Sequence, residues 1–188
     1  MRVRTVLTAA LAAMALAASL AAAPAVRGDS EAKSPLLVKQ LMSLLAARQM
    51  EAIATVDPAD HGRIVAALAF PGIQLLVISS HHKNADYLQM QITKRQFREV
   101  YDALQHGTVQ GRLFFHDLGC DGFAHDGEYI DLFYEGASQR TMFDGNWMAQ
   151  SLTQAEYEAL RKKAEEKYAA ALTLLIDATK KVPVPTVD

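Results

Sequence analysis

Arg63-Ile64-Val65-Ala66-Ala67-Leu68-Ala69-Phe70-Pro71-Gly72-Ile73-Gln74-Leu75-Leu76-Val77-Ile78-Ser79 is the stretch from which the fold can be read. Two apolar runs flank a Pro-Gly dipeptide. Proline fixes one backbone torsion and glycine is free to take a positive one, so the pair marks a tight turn. A chain that reverses within so few residues has to pair antiparallel, because a parallel partner needs a long crossover. Gln74 to Ile78 is apolar on successive positions, which predicts a strand covered on both faces and central in its sheet. Ala52 to Val56 supplies a third short strand ahead of the pair, with Asp57-Pro58-Ala59-Asp60-His61-Gly62 reading as the turn between them.

Helices are expected on either side of this sheet. Ser34-Pro35 opens the first, with serine as the cap and proline tolerated in the first turn, and Leu37, Leu41, Leu44 and Leu45 recur at helical spacing to about Gln49. Asn84 can cap a second helix through about Lys94. Phe97, Val100, Tyr101 and Leu104 suit its continuation, while a strand over Phe97 to Gln105 is the alternative that would separate a closed barrel from an open sheet. Gly107 and Gly111 bracket a turn before a strand over Arg112 to Asp117. Tyr129 to Tyr134 and Arg140 to Phe143 form a hairpin around Glu135-Gly136-Ala137-Ser138. Thr153-Gln154-Ala155-Glu156 is a capping box, and Tyr157, Leu160, Ala164, Ala171, Leu172 and Leu175 form the apolar stripe of the last helix. Glu165 and Glu166 read as solubilising charges on its outer side. The predicted class is α+β, an antiparallel split-barrel-like sheet flanked by helices, with a long C-terminal helix.

The chain opens like a secretory signal: Arg2 and Arg4, an alanine-rich run from Val6 to about Ala23, then two A-x-A sites. Cleavage is expected after Ala25. Residues 1–25 are then the signal, 26–33 a flexible tether, 34–180 one globular domain and 181–188 a tail. The expected location is periplasmic or secreted, with no stable membrane insertion after cleavage. The full chain has 188 residues, is 51% hydrophobic and carries a formal net charge of −2. That composition excludes a disordered chain and argues against a nucleic-acid binder, which needs a basic surface. The single Cys120 excludes an intrachain disulfide framework.

All six histidines lie between His61 and His125. The densest polar stretch runs from His116 to Glu128. It holds every common metal-ligand type but no recognised ligand spacing, and it reads as a solvated loop whose aspartates make turns with the following glycines, without a metal. His81 and His82, between a buried strand and a helix start, are candidate ligand-binding residues. Phe114, Phe115, Phe123, Tyr129, Phe133, Tyr134, Phe143 and Trp147 read as sheet core rather than a pocket for a flat ligand. Nucleophile-elbow, zinc-protease and phosphate-loop motifs are absent, so no catalytic constellation is visible.

Two resemblances can be set beside these readings. Glu51 to Pro58, Gly62 to Phe70 and Leu75 to Ser80, followed by Lys83 and later by Val109-Gln110-Gly111-Arg112, resemble the flavin-binding split barrels related to pyridoxamine phosphate oxidase. The likeness implies a six-stranded antiparallel barrel, a homodimer and flavin mononucleotide (FMN) bound between subunits. Its phosphate contacts would fall at Arg63, Ser79, Ser80 and Lys83, and the flavin would supply redox chemistry. The second strand departs from the family by lacking its usual proline at Ala66-Ala67-Leu68. Over the whole mature chain, Phe70 to Val77, Asp117 to Gly122 and Phe143 to Trp147 are similar to exported bacterial proteins of unknown function. The leading expectation is an exported small-molecule-binding or accessory protein. An FMN-dependent oxidoreductase and an envelope interaction protein acting through its last helix are the alternatives.

Overall fold

In a computed structural model, the chain is described over residues 32–81, 91–98, 108–122, 129–134, 137–142 and 148–186. Seven antiparallel strands form one sheet: β1 (Ala52–Asp57), β2 (Asp60–Phe70), β3 (Gln74–His81), β4 (Gln91–Ile92), β5 (Thr108–Leu118), β6 (Tyr129–Tyr134) and β7 (Ala137–Met142). They are ordered β4-β1-β2-β3-β5-β6-β7. Two long helices, α1 (Ser34–Ala47) and α2 (Gln154–Lys181), accompany them. The class is α+β with an open sheet, since no pairing among the described residues joins β4 to β7.

The β2–β3 hairpin forms as its sequence dictates. Ile73 N donates to Phe70 O at 2.9 Å across Pro71-Gly72, and Gly72 has φ +72°, the pattern of a type II turn. β3 lies at the centre of the strand order, with Leu75 and Val77 buried on one face and Ile78 on the other. One face carries Ile53, Val65, Ala67, Ala69, Leu75, Val77, Leu113 and Phe115, packed against both helices. The other carries Ala54, Ile64, Ala66, Leu68 and Ile78, covered in part by Phe97. Small residues on β2 allow close approach on both sides, and each large aliphatic side chain removed from water contributes about 1.5–3 kcal/mol.

Several boundaries differ from expectation, each for a local reason. The turn after β1 is only two residues long, because Asp57 Oδ1 accepts from Ala59 N at 2.9 Å and β2 already begins at Asp60. Gln91 and Ile92, expected at the end of a helix, pair with β1 as β4. Helix follows only at 94–98, beneath a Thr93–Gln96 cap in which Gln96 N donates to Thr93 Oγ1 at 3.2 Å. Lys94 fastens this segment to the sheet, 3.1 Å from Glu51 and over the ring of Phe70. Gly111 lies within β5 rather than in a turn. The β3–β5 register shifts between Ser79 and His81, and a glycine tolerates the irregular backbone there. The β6–β7 hairpin forms, with β7 starting at Ala137. Residues 99–107, where helix and strand compete in the sequence, lie outside the described residues, as does the expected signal and tether up to residue 31.

The two helices pack in parallel. At the start of α1, Ser34 N and Ser34 Oγ both donate to the Glu165 carboxylate, at 2.7 and 2.6 Å. Beyond its end, Arg48 Nε donates to Val182 O at 2.7 Å. Ser34 is therefore not the capping acceptor expected from Ser-Pro. Its own amide is satisfied by a carboxylate from α2, which also meets the positive end of α1. Glu165 is correspondingly half-buried rather than a solubilising surface charge. The capping box of α2 is present, with Thr153 N donating to Glu156 Oε2 at 2.8 Å and Glu156 N to Thr153 Oγ1 at 3.3 Å. The stripe of α2 is buried against the sheet and α1 through Tyr157, Ala164, Tyr168, Ala171, Leu172 and Leu175. No described helix is long and apolar enough to cross a membrane.

Two glycines separate the cost of a positive φ from the cost of a close approach. Gly72 faces open space, whereas a Cβ on Gly122 (φ +83°) would stand 2.6 Å from Ser34 Oγ and 2.7 Å from Pro35 N. Gly72→Ala should therefore cost only about 1 kcal/mol for its backbone conformation. Gly122→Ala should cost about 3 kcal/mol or more, because the start of α1 has to move as well. Urea melts of the two variants, read against wild type, measure the difference.

Candidate functional site

The polar end of the helix-facing sheet surface is built by the β1–β2 hairpin and the last residues of β3. Asp57, nearly buried, accepts from Arg63 Nη1 at 3.3 Å. Arg63 Nε donates to Ser79 Oγ at 3.0 Å. Ser79 stands opposite Val65 and His81 opposite Arg63 in the β2–β3 register, so Arg63, Ser79 and His81 share one face. His81 Nε2 lies 2.5 Å from Asp60 Oδ2. That hydrogen bond, helped by the Gly62 amide and the charge of Arg63, holds the Asp60 carboxyl below its ordinary range. His81 Nδ1 is buried and has no hydrogen-bond partner among the described residues.

α2 adds a component that the strands do not reveal. Lys167 is half-buried between the buried positions Ala164 and Ala171 of the helix. Burial lowers its ammonium pKa, and the neighbouring charges of Lys163 and Arg63 lower it further. On the sheet itself, Asp57 compensates the Arg63 guanidinium.

The residues singled out from sequence divide three ways. Arg63 and Ser79 are in direct contact, and His81 is beside them. Ser80 is fully buried but pairs with Ile64 on the opposite face, its hydroxyl 3.5 Å from His81 O. His82 and Lys83 lie outside the described residues. Asp57, Asp60, Lys163 and Lys167 were not singled out. Lys167 could have been noticed as a charged residue three after Ala164 and four before Ala171, on the inward side of the predicted stripe.

A second cluster sits at the other end of the same face. The loop after β5 was expected to be solvated, but Asp117 is fully buried. It does make the expected turn with a following glycine: its carboxyl accepts from Gly122 N at 3.0 Å and Asp121 N at 3.2 Å. It also accepts from Tyr168 Oη at 2.7 Å, and the Tyr168 ring stacks on Phe115 with centroids 4.7 Å apart. His116, on the opposite face, has Nε2 2.5 Å from Gln74 Oε1, and burial lowers its imidazole pKa. Among the described residues no three His, Cys, Asp or Glu side chains converge as metal ligands. Of the aromatic cluster, Phe115 is core and Phe114 packs at the edge of the second core. The side chains of the other aromatics in the cluster lie outside the described residues.

Comparison with known proteins returns no matching family model, no similar curated protein and no similar solved structure.

Burial outweighs the three donors at Asp117 and pushes its pKa up from 3.8 to about 6. Below about pH 4 the group is protonated in both folded and unfolded chains. Between about pH 4 and 6 the folded chain keeps a proton that the unfolded chain releases, so this group's stabilisation is lost as pH rises. The loss is complete above about pH 6 and amounts to about 3 kcal/mol. Asp117→Asn cannot ionise. Its stability relative to wild type, from denaturant melts at a series of pH values, should rise by that order between pH 4 and 6 and then level off.

Proposed function

We propose that the chain is an exported binding or accessory protein that holds a small anionic molecule at the Arg63–Ser79 end of its sheet. The observation that carries this reading is the way Arg63 is held. Its Nε is committed to Ser79 and its Nη1 to Asp57, while Nη2 makes no hydrogen bond among the described residues. A guanidinium braced by two neighbours is oriented before a ligand arrives, and its fork suits an oxyanion. The basic and alanine-rich opening over residues 1–25 supports export to the periplasm or beyond.

A second reading, an FMN-dependent oxidoreductase of split-barrel type with a homodimeric cofactor site, is favoured by the same contact. Arg63 and Ser79 are two of the positions that the resemblance assigns to the flavin phosphate, and they touch. Ser80, a third, lies on the other side of the strand. The two readings part on whether a coloured cofactor is bound. Protein purified from its own compartment should show no flavin band at roughly 300–600 nm and no matching mass in native mass spectrometry if the first reading holds. A flavin band with the mass of FMN would replace it with the second.

A further inference from the structure

We infer that the turn over residues 119–122 is a pH-sensitive latch: with the Asp117 carboxyl neutral it holds the start of α1 in place, and ionisation of that carboxyl frees the turn and the α1 start together. The device stands apart from the anion-binding reading and uses none of its residues.

The geometry places an acid where its charge has no counterpart. Asp117 is fully buried near the end of β5. Leu75 lies opposite it on β3, and Tyr168 approaches from α2. Cys120 and Asp121 follow it in the loop, and Ser34 and Pro35 of α1 abut Gly122. Of these only Asp121, Cys120 and Tyr168 can carry charge, and each becomes negative when it ionises. Glu165, which holds Ser34, adds a further acidic group on the α2 side. No lysine, arginine or histidine forms an ion pair with Asp117 among the described residues. Three hydrogen-bond donors soften a buried carboxylate but supply no full opposite charge, so access to water favours the ionised form. Burial accordingly raises the Asp117 pKa to about 6.

The turn above this carboxyl is poised to let go. Gly119, Cys120 and Gly122 have φ of +84°, +61° and +83°, and Cys120 thereby holds a conformation that costs a residue with a side chain. The Asp121 and Gly122 amides are both committed to Asp117 itself. Gly119 N donates to Ile73 O at 2.9 Å, and Cys120 Sγ donates to Phe70 O at 3.5 Å. A Cβ on Gly122 would meet Ser34 Oγ at 2.6 Å and Pro35 N at 2.7 Å, so turn and helix start fit too closely to move independently. Once the turn opens to water, the acid titrates at its ordinary value of about 4. Opening therefore has a constant cost below about pH 4, becomes about tenfold easier per pH unit up to about pH 6, and then levels off about 100-fold easier.

Amide hydrogen exchange of the full chain, followed residue by residue by NMR from about pH 4 to 8, reads this opening as protection factors. The Asp121, Gly122 and Ser34 amides should lose about 100-fold in protection between about pH 4 and 6 and then level off. At every pH they should stay less protected than the amides of β3. Asp117→Asn should give flat profiles. Tyr168→Phe removes a donor that favours the ionised form, so its fall should continue to a higher pH than in wild type. This second variant keeps the test decisive if the asparagine chain does not fold. Flat wild-type profiles, or turn protection equal to that of β3, overturn the latch, the latter because opening is then global unfolding. A fall at Asp121 and Gly122 with Ser34 unchanged overturns the coupling to α1. A Tyr168→Phe profile that levels off at or below the wild-type pH overturns the assignment to Asp117.

Discussion

The buried carboxyl of Asp117 is the point on which three separate parts of the chain depend. It ends the core-facing run of β5, takes the amides of Asp121 and Gly122, and takes the hydroxyl of Tyr168. Folding the loop back places Gly122 against Ser34 and Pro35, at a distance only a residue without a Cβ can accept. Ser34 in turn is held by Glu165, less than one turn of α2 before Tyr168. One acidic side chain thus sets the height of the glycine loop, the start of α1 and the rotation of α2. Leaving three donors unpaired in the interior would cost more than any single contact in the apolar core.

The two polar ends of the helix-facing surface are separated by six residues along β3, from Leu75 beside Asp117 to His81 beside Arg63. At strand spacing that is roughly 20 Å. At the near end the Asp117 carboxyl takes three donors, and the backbone turns through glycines at positive φ. The far end carries the Arg63–Asp57 ion pair and the His81–Asp60 contact. α2 meets the near end through Tyr168.

How much was legible in the sequence follows from the range of the interactions involved. The Pro71-Gly72 hairpin, the central position of Gln74 to Ile78 and the capping box at Thr153 all rest on neighbours a few residues apart, and each is present. Expectations failed where a distant partner overrides a local preference. Ser34 reads as a cap until Glu165 supplies the acceptor. Gln91-Ile92 reads as helix until β1 offers an edge. Asp117 reads as a solvated turn residue because nothing nearby in the chain announces Tyr168. At the candidate site, Arg63 and Ser79 are named by the family resemblance alone, and their contact follows from adjacent strands of one hairpin. Lys167 is half-buried on a different element, and charge alone on a long helix does not distinguish such a lysine from the many exposed ones.

The parallel packing of α1 on α2 has a kinetic consequence. Adjacent helices in a chain usually fold as an antiparallel hairpin, closing a loop of a few residues. Here the contact between Ser34 and Glu165 closes a loop of 131 residues containing the entire sheet. Neither helix can find its place until the strands between them have paired, and most of those pairings are themselves meander contacts of moderate range. The apolar stripe of α2, made after the strands during synthesis, has to wait in solvent for a surface that exists only once β1, β2, β3 and β5 are assembled. A topology of this kind folds slowly for its size, with helix docking as the late, cooperative step rather than the nucleus.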